Sequence, residues 1–114
     1  MTTKGLVLAG SVLLLAGCAS AFTSAKDDFR GGDSASARER LVAIEGETKS
    51  WNEKDRAEYA LYRGLVHLSL ADRDAARPWL ERADAMVRAS PEALSPENRS
   101  RLRVALETSY GVKP

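Results

Sequence analysis

Few side chains in this chain can do covalent or metal chemistry, and their spacing narrows the options. Cys18 is the single cysteine and His67 the single histidine. A lone thiol forms no intramolecular disulfide, so an exported domain of this kind takes its stability from packing. Cys18 closes the run Leu15-Ala16-Gly17-Cys18, where small residues let an extended chain enter a narrow enzyme site and the sulfur can accept a transferred group. A structural metal needs several His or Cys ligands at set spacings. His67 has no such companions and sits among Val66, Leu68 and Leu70, so it reads as a packing residue, and no metal is expected. Asp72 and Asp74 read as helix caps rather than a carboxylate site. No motif places a serine on a strained nucleophile turn. Gly31-Gly32 ends a helix rather than cradling phosphate, and Arg99-Arg101-Arg103 spreads charge around a helix surface. No catalytic site, enzymatic activity or cofactor is expected.

What precedes Cys18 must deliver it to its chemistry. Lys4 gives a short positive start, and Gly5 to Leu15 is an apolar run interrupted only by Gly and Ser. About eleven residues are too few to span a bilayer, which takes about 20, but they suit the apolar core of a secretion signal. This run, followed by Leu15-Ala16-Gly17-Cys18, resembles the signal and lipobox of bacterial lipoproteins. The resemblance implies cleavage between Gly17 and Cys18, S-diacylglyceryl attachment at the thiol and N-acylation (commonly palmitate) of the new amine. It also implies that Ala19 rather than Asp directs the protein to the outer membrane, with the domain on the periplasmic face of the cell envelope. One acyl chain binds marginally, whereas two or more hold a protein durably.

The 114 residues suffice for one domain. The expected organisation is residues 1–17 as signal peptide, 18–21 as lipidated N-terminus and short tether, and 22–112 as a helical domain. Without the signal, a 97-residue chain buries a modest core. Formal net charge is +1, and losing Lys4 leaves 16 basic and 16 acidic side chains, which excludes the electrostatic footprint of a nucleic-acid binder.

The mature part carries helical rather than strand-like periodicity. Ala76, Trp79, Leu80, Ala83, Met86 and Val87 mark a helix over Asp74–Arg88, starting near Asp72–Asp74, with Pro78 making its beginning irregular. A longer helix runs from about Trp51 to Ala71, with Ser50-Trp51-Asn52-Glu53 as a capping box. Gly64 within it costs about 1 kcal/mol relative to Ala, which makes sense if another helix crosses closely there. Ser34–Ile44 turns Ala37, Leu41 and Ile44 inward behind an Asp33 cap, and Ala21–Arg30 uses Phe22, Ala25 and Phe29. The last helix opens at Ser95-Pro96-Glu97, carries Leu102, Ala105, Leu106 and Tyr110 inward, and ends at Gly111. Gly46–Lys49 and Ala89–Leu94 are connections. The expected fold is all-α, about five antiparallel helices.

Gly32-Asp33-Ser34-Ala35-Ser36-Ala37, with Leu41 beyond, lines up with Ala71-Asp72-Arg73-Asp74-Ala75-Ala76, with Leu80 beyond, 39 residues later. With Gly64, Ala76 and Ala83 at close-packing positions, this stretch resembles a tetratricopeptide (TPR) repeat, well over Ala57 to Ser90 and loosely over Phe22 to Glu45. The pattern departs from that family in its displaced aromatics, Tyr59 and Tyr62, in His67 and in the late Pro91. A generic helical bundle stays open as the alternative.

The resemblance implies an envelope adaptor or scaffold binding a protein partner, as an accessory of a secretion, pilus or outer-membrane assembly complex, with no small-molecule substrate. Trp51, Tyr59, Tyr62 and Arg63 are the expected contacts, because exposed aromatics and Arg dominate interface energies. The alternatives are a structural lipoprotein without a free ligand and a peptidoglycan-binding lipoprotein. A helix beginning near Phe22 leaves about three residues of tether, so the domain would lie against the membrane surface.

Overall fold

In the computed structural model, which describes residues 20–111, every regular element is helical. The signal, its cleavage position and Cys18 lie outside the described residues. Helix α1 occupies residues 20–30, followed by α2 (Ser34–Ala43), a 3-10 segment (Glu45–Ser50), α3 (Glu53–Ser69), α4 (Arg73–Ala89), a second 3-10 segment (Pro91–Ala93) and α5 (Pro96–Ser109). The helices pack as a bundle around α3, which touches α2, α4 and α5.

The two inter-helix turns are built alike. After α1, the Asp33 amide donates to the Asp28 carbonyl at 2.8 Å and Gly32 to Phe29 at 3.1 Å; after α3, Asp72 donates to His67 and Ala71 to Leu68, both at 2.9 Å. This paired closure satisfies the last carbonyls of a helix and requires one residue in the left-handed region. Gly32 (φ 91°) and Ala71 (φ 61°) fill that place. Each turn then starts the next helix the same way, Asp33 accepting from the Ser36 amide and Asp72 from the Ala75 amide, both at 3.1 Å. Ala37 and Ala76, and likewise Leu41 and Leu80, occupy matching buried positions 39 residues apart. The turn between α1 and α2 and the start of α2 thus recur between α3 and α4.

Small residues let the second hairpin close. A Cβ at Gly64 would overlap Leu80 Cδ2 and stand 2.5 Å from Leu80 Cγ, so α4 crosses α3 at glycine, as the sequence predicts. Ala57, Ala60, Leu61, Ala76, Leu80 and Ala83 form one core with Leu94, Leu102 and Ala105 from the C-terminal part. Phe22, Ala25, Leu41, Tyr59, Tyr62 and Val66 form the other, between α1, α2 and α3.

Several expectations need correction. The cap of α3 is Asn52, which accepts from the Asp55 amide at 2.8 Å, and not Ser50. Ser50 instead closes the preceding 3-10 segment by donating to the Glu47 carbonyl, which shifts the helix start two residues along. The connection over Gly46–Lys49 is that 3-10 segment. Helix α4 continues through Pro78, because Asp72 caps the helix nearly two turns ahead of it and both Pro78 and Asp74, whose carbonyl loses its amide partner, are exposed. Tyr110 stands just past the end of α5 and is 53% exposed, leaning on the Arg77 guanidinium rather than entering the core. Arg99 is not simply solvated: it donates to the carbonyls of Pro91 and Leu94 and pins the second 3-10 segment to α5.

Candidate functional site

The four side chains expected to meet a partner are mostly inside. Tyr59 and Tyr62 are 2% and 1% exposed and Arg63 is 8% exposed; Trp51 is half-buried. The physical reason is the first hairpin, which closes over this face of α3. The Phe22 ring lies 5.3 Å from Trp51, 5.9 Å from Tyr59 and 6.3 Å from Tyr62, and Phe29 meets Tyr62 edge-on at 5.8 Å. Such tilted and edge-on pairs add about 0.5–1.5 kcal/mol each beyond the area they bury. Tyr59, Tyr62 and Arg63 are built into the core, and Trp51 packs at its edge.

Arg63 is held there by a specific set of groups. Its guanidinium donates to Glu45 at 2.7 Å and to the Tyr59 hydroxyl at 3.0 Å, and lies 4.3 Å from the Trp79 ring centroid. The Tyr59 hydroxyl donates in turn to the Leu41 carbonyl, tying α2 to α3. Burial pushes the Tyr59 phenol above its ordinary value, so it remains a donor, although the Arg63 hydrogen bond opposes the shift. Among the described residues Arg63 Nε is buried without a partner. His67, one turn along, is buried as the sequence predicts; burial first, then the Arg63 charge, lowers its pKa, so the ring is neutral at pH 7. Among the described residues no group of His, Cys, Asp and Glu could hold a metal ion.

The exposed feature with the shape of a binding site lies elsewhere. Phe29 of α1, Leu65 and Leu68 of α3, and Ser100, Arg101, Val104, Ala105 and Thr108 of α5, with Glu97, line a cleft of about 670 Å³. Leu65 and Leu68 form its floor, half-buried and packed at the edge of the core that α3 shares with α4 and α5. Val104 stands 54% exposed on the α5 wall. Glu97 and Arg101, one helical turn apart, put both signs of charge on that wall; Arg101 also reaches Asn98 at 3.2 Å. The arrangement suits non-covalent capture of an apolar segment with polar flanks.

Spacing alone places Leu65 and Leu68 on an undifferentiated apolar surface of α3 and passes over Val104. The signal is the width of that surface, which is apolar around much of the helix. No family model matches the chain, and neither does any curated protein or solved structure.

Proposed function

We propose that this chain is a lipid-anchored scaffold of the bacterial cell envelope that seats one amphipathic segment of a partner protein in the cleft between α1, α3 and α5. The observation that carries this reading is the cleft itself: an apolar floor of Leu65 and Leu68 left open beside exposed Val104. Laying the apolar face of an amphipathic helix into a hydrophobic groove is a recurring mode of peptide recognition. Alternating charge at Glu97 and Arg101 favours a segment with mixed charges flanking its apolar face over a uniformly charged polymer.

The duplicated turn supports a TPR-like reading of the architecture, since α1 and α3 are then the leading helices of successive units and α5 follows them on the same side. In this reading the C-terminal helix caps the array against solvent. The lipobox-like Leu15-Ala16-Gly17-Cys18 supports attachment through Cys18 to the outer membrane, with the domain in the periplasm.

The test is photo-crosslinking in intact cells from a reactive residue placed at Val104, against one at exposed Val42 on α2. One discrete adduct from position 104 alone, identified by mass spectrometry as an envelope protein, is expected. Equal adducts from both positions, or none from 104, would mean the cleft captures no partner and leave a structural spacer.

A further inference from the structure

On the far side of α3 from the cleft lies a smaller and differently built recess. Thr48, Lys49, Arg56, Tyr59, Trp79 and Arg82, with Ala60 and Met86, enclose about 170 Å³ between the first 3-10 segment, α3 and α4. At about 100° per residue, Arg56, Tyr59 and Ala60 point roughly opposite to Leu65 and Leu68. Three cations meet here in a chain whose charges nearly balance overall. Lys49, Arg56 and Arg82 are all exposed and, among the described residues, none takes part in an ion pair. The nearby carboxylate of Glu45 is taken up by Arg63. Arg82 lies 4.5 Å from the Trp79 ring centroid and Arg63 4.3 Å, so the indole is already polarised by two guanidinium groups. The recess therefore offers cations at its mouth and an apolar floor of Trp79, Ala60 and Met86.

Its position says which anion it meets. Tyr59, in its wall, contacts Phe22, and Phe22 contacts Trp51, two residues beyond Lys49. Phe22 is four residues from Cys18, a separation that spans at most about 14 Å even when fully extended. If Cys18 is lipidated, the recess sits at the membrane end of the domain while the cleft lies on the other side of α3, toward its far end.

We propose that Lys49, Arg56 and Arg82 bind the phosphate of an anionic phospholipid in the leaflet that carries the anchor, with the start of its glycerol and acyl portion against Trp79 and Met86. This rests on the lipid-anchored reading above and deepens it: tether and headgroup together hold the domain in one orientation, with the cleft turned to the periplasm. Arg supplies fork-shaped donors suited to phosphate oxygens.

The test follows the Trp79 indole N–H by NMR, assigned through W51F, in the mature protein purified in neutral detergent. Short-chain dihexanoyl phosphatidylglycerol, dihexanoyl phosphatidylcholine and inorganic phosphate are titrated separately, and Cys18 is read by intact mass in the same sample. A saturable Trp79 shift with phosphatidylglycerol is expected, weaker by at least about tenfold with phosphatidylcholine and in the R56Q/R82Q variant, as loss of charge-assisted bonds implies. Circular dichroism checks that the variant folds. Equal affinity for the two lipids, an undiminished shift in the variant, or a site saturated by inorganic phosphate with no further response to lipid would overturn the proposal. Acylated Cys18 without phosphatidylglycerol preference sinks the pocket and leaves the anchor; unacylated Cys18 with selective binding does the reverse.

Discussion

At the residue scale, three neighbouring positions in and just after α3 show how local chemistry sets the packing. Gly64 lets α4 approach, and replacing it with Ala trades about 1 kcal/mol of helix propensity for an overlap with Leu80 Cγ and Cδ2. Overpacking of this kind costs about 1–3 kcal/mol. G64A should therefore lower stability by up to about 2 kcal/mol in urea unfolding, with a non-additive G64A/L80A cycle because the two side chains share one space. Ala71 occupies a left-handed position at φ 61° where Gly32 stands in the other turn. A71G should therefore stabilise the fold by about 0.5–1 kcal/mol, readable as a raised thermal midpoint. His67 gives a pH dependence. Burial, then the Arg63 charge with a smaller push from Arg38, lowers its folded pKa below the ordinary 6.5, while Asp72 pulls the other way. The unfolded chain therefore binds the proton first as pH falls. Stability is complete above about pH 6.5, declines below it until the folded ring also protonates, and H67F should flatten that limb of a urea-midpoint profile. Gly64 and His67 were legible in the sequence, one as a contact glycine and the other as a packing ring. Ala71 was not, because alanine carries no mark of a left-handed conformation.

At the element scale, α3 is the organising helix, and its length and composition explain what was legible. Periodicity located all five helices, and the caps at Asp33, Asp72 and Ser95 were correctly read because each side chain accepts from the amide three residues on. The 39-residue correspondence proved to be a correspondence of turns, hydrogen bond for hydrogen bond. Periodicity could not say which neighbour covers which side of α3. It left Tyr59, Tyr62 and Arg63 as surface contacts, whereas α1 and α2 cover them with Phe22, Leu41 and Ile44. The side that remains open, at Leu65 and Leu68, depends on where α5 comes to rest, which is a tertiary fact. The consequence for α5 is testable. Val104 is exposed, so V104E should change stability by no more than about 0.5 kcal/mol, yet it places a carboxylate over the apolar floor. Co-purification of the envelope partner identified by crosslinking should fall at least about tenfold, equivalent to 1.4 kcal/mol, with an unchanged circular dichroism spectrum.

At the scale of the whole molecule, the two exposed recesses lie on opposite sides of α3 and differ in chemistry, one apolar with mixed charge at its wall, the other cationic over an indole. No described helix is long and apolar enough to cross a membrane. The proximity of Phe22 to both Tyr59 and Trp51 ties the orientation of the domain to the first residues after Cys18. In the proposed reading, membrane-side and partner-side roles for the two recesses would follow from a lipid on Cys18. The decisive measurement is the intact mass and N-terminal peptide spectrum of the protein extracted from membranes of cells that produce it. The account predicts a chain beginning at Cys18, heavier than its amino acids by a diacylglyceryl group and an N-acyl chain. A chain that still begins at Met1, or a Cys18 carrying no lipid, would contradict it.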